Sequence, residues 1–301
     1  MNSMTRTLSY LVLPLFLLAC GSGADTEATP PAADTTATSE VDPKWQADQF
    51  ADVRILRYYV PGWDQLTLQQ KELAYYLNMA GLAGRDIMWD QNYRHNLKVR
   101  KALEGILANY GGERSGKDWE AFSTYAKQIF FANGIHHHYG MQKFTPEFPR
   151  AYLEQLLSGS KAELSAEVID ILFDPARDAK KVSLDSDKDL VLSSAVNFYA
   201  EDVNEKEVMD YYAAMEVEGD PRPVSYGINS KVVRGKDGRI TEKVWKVGGM
   251  YGPALEKVVM WLDKAAGVAE NEQQRKAIKL LAEYYRTGSL KTWDDFNVAW
   301  V

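Results

Sequence analysis

One hairpin signal interrupts a chain otherwise patterned for helices, and this combination limits the fold more than any other feature. Val224 to Arg234 and Arg239 to Val247 are rich in β-branched residues and flank Lys236-Asp237-Gly238, whose Asp-Gly pair suits a tight turn between antiparallel strands. Around it, apolar residues recur at helical spacing. Trp45, Phe50, Val53 and Leu56 predict an amphipathic first helix, ended by Pro61-Gly62. Thr67 with Gln70 makes a capping box for a second, which runs through Leu73, Leu77 and Ala80 towards Trp89. Leu97, Leu103, Ile106 and Leu107 mark a third, and Trp119, Phe122, Tyr125, Ile129 and Phe130 a fourth, stopped by Asn133-Gly134. Further helical patterns cover about 150–157, 161–173, 205–215, 253–268 and 272–286, with Asn204 and Glu207 as a second capping signature. The fold class is therefore α+β, mostly helical with a small β-hairpin or barrel sheet. No fixed period recurs, which argues against a helical solenoid.

Charge and cysteine usage narrow the function classes. The 35 Lys and Arg against 42 Asp and Glu give a net charge of −7, and no basic cluster occurs, so no nucleic acid is expected as partner. The single cysteine excludes a disulfide framework and any Cys-based zinc module. The aromatic load, 8 Trp, 17 Tyr and 10 Phe, fills a large core or lines a cleft.

That one cysteine falls in an informative place. Arg6 precedes an apolar run from Leu8 to Ala19, too short for a permanent membrane span, which ends in Leu17-Leu18-Ala19-Cys20-Gly21. This looks like a bacterial lipobox: residues 1–19 read as a lipoprotein signal peptide and Cys20 as the lipid attachment site. Residues 20–43 contain no aromatic and carry acids without a base, the composition of a disordered tether. The folded part is expected over 44–301, held through Cys20 to the membrane of a bacterial cell envelope, periplasmic or outer.

Candidate chemistry is sparse. His136-His137-His138 gathers three of the four histidines. In an extended segment His136 and His138 would share a face about 6.5 Å apart, a spacing open to two ligands of one ion. The third ligand would have to come from His95 or a distant carboxylate, and hydrogen-bonded loop histidines are the simpler reading. No His-Glu dipeptide, Gly-x-Gly-x-x-Gly, P-loop or Gly-x-Ser-x-Gly is present. Tyr226-Gly227-Ile228-Asn229-Ser230 offers a strand edge that could take up an extended peptide, although Gly227 as a corner and Asn229 as a turn residue explain the segment as well. The tail, Trp293 to Val301, has no stop signal and reads as cut in mid-element.

Three long stretches carry a family resemblance: Thr67 to Asn92, Asn133 to Phe148, and Gly249 to Leu290. They resemble the bacterial form of the dipeptidyl-peptidase III family of zinc exopeptidases. The resemblance implies a two-lobed protein with a cleft between a mixed lobe built around a β-barrel and a mainly helical, zinc-bearing lobe. It implies release of dipeptides from the N-terminus of short peptides, with zinc held by two His of an H-E-x-x-G-H or similar motif and a later Glu. That motif is absent here, so this chain is expected to correspond mainly to the non-zinc lobe, truncated at its C-terminus, lacking its C-terminal zinc lobe and inactive alone. No catalytic or metal-binding residue transfers, and no cofactor is expected on this chain. Whether it is itself an enzyme stays open. His136, His138, Tyr139 and Asn229 are the residues expected near a peptide cleft, with a short peptide as partner. The alternative is a non-catalytic surface lipoprotein that binds peptide or glycan through its aromatics.

Overall fold

The computed structural model describes residues 45–301. The segments expected to be a signal peptide and a tether, and Cys20 with them, lie outside the described residues. Among these, no helix is long and apolar enough to cross a membrane.

The chain opens with a correction. Where a first helix is predicted, β1 (Gln46–Phe50) and β2 (Val53–Leu56) form an antiparallel pair. The spacing of Trp45, Phe50, Val53 and Leu56 fits a helix, but long-range contacts settle the backbone instead. Phe50 meets Phe131 edge-on at 6.4 Å, and Lys127 Nζ lies 2.7 Å from Asp48. Ala51 takes a left-handed φ of 46° in the tight connection, and Val53 is buried.

Helices follow almost as the caps require. α1 (Leu68–Ala83) begins with the reciprocal Thr67–Gln70 capping box. It does not run on to Trp89, because the chain turns at Gly84 into a separate α2 (Arg85–Asn92). α3 (Asn96–Asn109) and α4 (Lys117–Ala132) occupy their predicted places, and Asn133 ends α4 in the left-handed region. α5 (Arg150–Ser160) ends at a left-handed Lys161, so the next helix, α6 (Ala166–Phe173), starts later than predicted, on a Ser165 cap. α7 (Glu205–Ala213) carries the second capping box, Asn204 with Glu207. The predicted hairpin is β3 (Ser230–Arg234) paired with β4 (Ile240–Val244), turning through Gly238 at φ 80°. α8 (Gly252–Gly267), α9 (Glu272–Thr287) and α10 (Leu290–Trp300) complete the described residues. The described residues are thus mostly helical, with their strands in two small antiparallel pairs.

Three apolar cores hold these elements. The largest packs α3, α4, α5 and α6 around Ile106, Phe122, Ile129, Leu156 and Ile171, none of them measurably exposed. A second joins α1 to α8 and α9 through Leu73, Leu255, Leu262, Ala265 and Ile278. A small third cluster, Val203, Val208 and Val232, seats α7 against β3. Burying such side chains fully is worth about 1.5–3 kcal/mol each for the large aliphatics, which is why the periodicity was so readable.

Candidate functional site

The second core is open on one side. A groove of about 570 Å³ is walled by Leu77 and Ala80 of α1, Ile87 of α2, Leu255 and Val258 of α8, and Leu281 of α9. Aromatics line it as well: Trp245 at the end of the hairpin, Tyr251 before α8, Tyr284 and Tyr285 on α9, and Trp293 on α10. This volume lies within the roughly 300–1,000 Å³ typical of small-molecule sites, and the lining is mostly apolar.

Local sequence explains how those rings are presented. Met250-Tyr251-Gly252-Pro253 turns the chain into α8, with Pro in its first turn, and Tyr251 adopts a left-handed φ of 62°. The residue is held there by its side chain: Tyr251 Oη donates to Asp90 Oδ2 at 2.7 Å. Burial first, then this carboxylate, raises the Tyr251 phenol above its ordinary value, so it stays a proton donor. Trp245 packs 5.9 Å from Tyr251, and its indole Nε1 is buried without a partner. Tyr284, also in the lining, lies tilted at 5.0 Å from Trp293, and burial pushes its phenol up to about 12. The groove therefore offers broad aromatic faces and few polar groups. It can seat an apolar or aromatic side chain, and its lining contains no acid or nucleophile.

The residues singled out in the sequence lie elsewhere. His136 is 2 % exposed, and its Nε2 sits 2.7 Å from the Asp178 carbonyl. His137 Nδ1 accepts the backbone N–H groups of Tyr139 and Gly140, and its Nε2 lies 3.3 Å from Asp52. The His138 ring stacks on His137 at 4.5 Å and meets Phe131 at 4.9 Å. Tyr139 is 83 % exposed. His95 contacts Tyr93 edge-on, on the same ring that His136 approaches. Asn229 is buried, and its Nδ2 donates to the Gly288 carbonyl at 2.9 Å, which ties β3 to the end of α9. Gly227 is a left-handed corner at φ 80°, where a Cβ would lie 3.0 Å from the Tyr212 ring, and Val232 on the outer edge of β3 already pairs with Phe198 and Ala200. None of His136, His138, Tyr139 and Asn229 lines the groove.

A zinc ion does not fit what is described. No group of three or more His, Cys, Asp or Glu side chains among the described residues is placed to hold a metal. The histidine triplet explains why: His136 Nε2 meets the Asp178 carbonyl and its Nδ1 is buried, while His137 Nδ1 takes two backbone N–H groups and its Nε2 lies beside the Asp52 carboxylate.

The groove's aromatic residues also fall where a family model matches this chain. Residues 227–301 match peptidase family M49. The M49 match takes in the hairpin, α8, α9 and α10, and with them Trp245, Tyr251, Tyr284, Tyr285 and Trp293. It includes the third of the three stretches read from the sequence, while the first two fall outside it. DPP III from Caldithrix abyssi is 16 % identical, with a TM-score of 0.47 over 79 % of this chain and 34 % of that one. Dipeptidyl-peptidase III from Corallococcus sp. strain EGB is 13 % identical, with a TM-score of 0.47 over 80 % and 34 %. The chain thus spans about a third of the length of these structures. No curated protein sequence matches it.

Proposed function

We propose that this chain is part of a peptidase of the M49 kind, and that its aromatic groove holds a side chain of a short peptide substrate. The observation that carries this reading is the coincidence of the M49 match with the aromatic walls of the groove. An apolar peptide side chain seated there would lose roughly 1.5–3 kcal/mol worth of water contact, enough to fix which part of a peptide enters. In the intact enzyme, zinc would supply activated water and dipeptides would leave from the N-terminus of the peptide. The described residues contribute binding and orientation to that reaction. The wider arrangement belongs to the same proposal: a signal peptide over 1–19, lipid on Cys20, a tether to residue 43, and a folded body at the bacterial cell envelope.

The test combines binding and turnover. Short peptides with large apolar side chains should quench tryptophan emission, and a Trp245→Leu, Trp293→Leu double variant should bind them more weakly. Mass spectrometry of the same mixtures, with zinc added, should show no dipeptide release, because no metal-holding group lies among the described residues. If glycine-only peptides bind as well as apolar ones, the groove is not the site. Retention of glycans with no peptide bound would favour the non-catalytic surface protein instead.

A further inference from the structure

A second cavity, of about 150 Å³, opens where residues 191–201 cross β3, and it shares no lining residue with the groove. Its polar wall is Arg94, Asp178, Asn197, Tyr199, Glu201 and Lys231. The acids there already have donors. Asp178 Oδ2 accepts from Tyr93 Oη at 2.6 Å and from Arg94 Nη2 at 3.1 Å. Arg94 Nε lies 2.7 Å from Glu201. Asp90, behind Asn197, accepts from Asn197 Nδ2 at 3.0 Å as well as from Tyr251.

The cations are less well matched. Lys231 Nζ donates to the amide oxygen of Asn197 at 2.5 Å and forms no ion pair among the described residues. It also stands directly opposite Lys243 in the β3–β4 register, which puts two ammonium groups on one face of the hairpin. Like charges in that position are destabilising unless an anion intervenes. Arg94, with Nε and Nη2 committed, keeps Nη1 without a partner among the described residues. Burial holds the Lys231 ammonium below its ordinary value, with Asp90 acting against that shift. Two spare cationic donors thus line one small polar cavity.

We propose that this cavity is a carboxylate-binding site, anchored by Lys231 with Arg94 Nη1 as the second donor. A planar monoanion suits two such donors. A phosphate, with more negative charge, would meet Asp178 and Glu201 in the same wall. The carboxylate has two sources, a free small acid or the C-terminus of a peptide, and the inference does not depend on the peptidase reading.

Calorimetric titration of the full chain at low salt tests it with four probes: trialanine, trialanine amide, acetate and inorganic phosphate. Trialanine should bind roughly tenfold more tightly than its amide, the order expected for one charge-assisted contact. That preference should vanish in Lys231→Met and return in Lys231→Arg. Acetate binding as tightly as trialanine identifies a free acid as the ligand; weaker acetate binding identifies a peptide end. Equal binding of acid and amide overturns the site, as do tighter binding of phosphate and an unchanged Lys231→Met. Should Lys231→Met misfold, the acid-to-amide ratio on the unaltered protein decides alone. Equal binding of glycine-only and apolar peptides would count against the proposed function and leave this ratio untouched.

Discussion

Tyr251 Oη donates to Asp90 Oδ2 at 2.7 Å, joining the residue that caps α8 to α2 across 161 positions of sequence. The bond also holds a non-glycine residue in the left-handed region and turns its ring to the groove. Removing only the hydroxyl, in Tyr251→Phe, should lower stability by about 1.5 kcal/mol, as for other bonds to a charged acceptor. Urea unfolding measures this, and apolar peptide affinity should fall with it. An unchanged midpoint would mean that the ring alone holds the turn.

Lys143 offers a second test. Its ammonium is buried and donates to the carbonyls of Ile171 at 2.7 Å, Asp174 at 2.6 Å and Arg177, closing off the C-terminal end of α6. Lys143→Met strips those carbonyls of their donor and should cost roughly 3 kcal/mol. Hydrogen exchange should show the loss first over residues 166–178, before the rest of the core opens.

Asn96 and Gly134 make the tightest approach in the larger core. Asn96 is wholly buried; its Nδ2 donates to the Trp89 carbonyl at 3.0 Å and its Oδ1 accepts from Ile135 N at 3.1 Å. Gly134 has φ 153°, and a Cβ there would overlap the Asn96 carboxamide. Gly134→Ala should therefore destabilise by at least about 3 kcal/mol, more than any exposed substitution, by displacing a bonded amide in a packed interior. Thermal unfolding reads it directly; a loss under about 1 kcal/mol would show that Asn96 can move aside.

Burial is the main reason the His136 imidazole is held down to about 4. Its neutral form is the one the fold accepts, while an unfolded chain takes up a proton near the ordinary value of about 6.5. Between those values the unfolded state binds more protons, so stability should fall as pH drops from about 6.5 to about 4 and change no further through this group below that. Full development would amount to about 3 kcal/mol. Comparing stability against pH for the unaltered protein and His136→Gln isolates this histidine from the carboxylates; parallel curves would exclude it.

Local chemistry made much of the fold legible. Side chains at Thr67 and Asn204 satisfy helix N–H groups only a few residues away, and the Asp-Gly turn of β3–β4 is equally local, so each could be read without knowing the rest. The signals for α10 are just as local, in the Ser289 cap and the spacing of Trp293, Phe296 and Trp300, so the stretch expected to be cut in mid-element is an ordinary N-capped helix. The hairpin at 46–56 was misread for a different reason: its side chains fit two periods, and contacts with α4 choose between them. The groove was not legible at all. Periodicity tells which side of α1, α8 and α9 is apolar, but not that Leu77, Trp245 and Trp293 meet around one space. Lys231 and Lys243 became partners only once the hairpin register was known.

Asp90 has one further consequence. Its carboxylate takes a phenol from the aromatic side and a carboxamide from the polar side, so it is a party wall between two chambers. A change made there will disturb both tenants at once, and no single variant can apportion the damage. Only paired substitutions, Tyr251→Phe and Asn197→Ala separately and together, can tell how far one room feels what happens in the other.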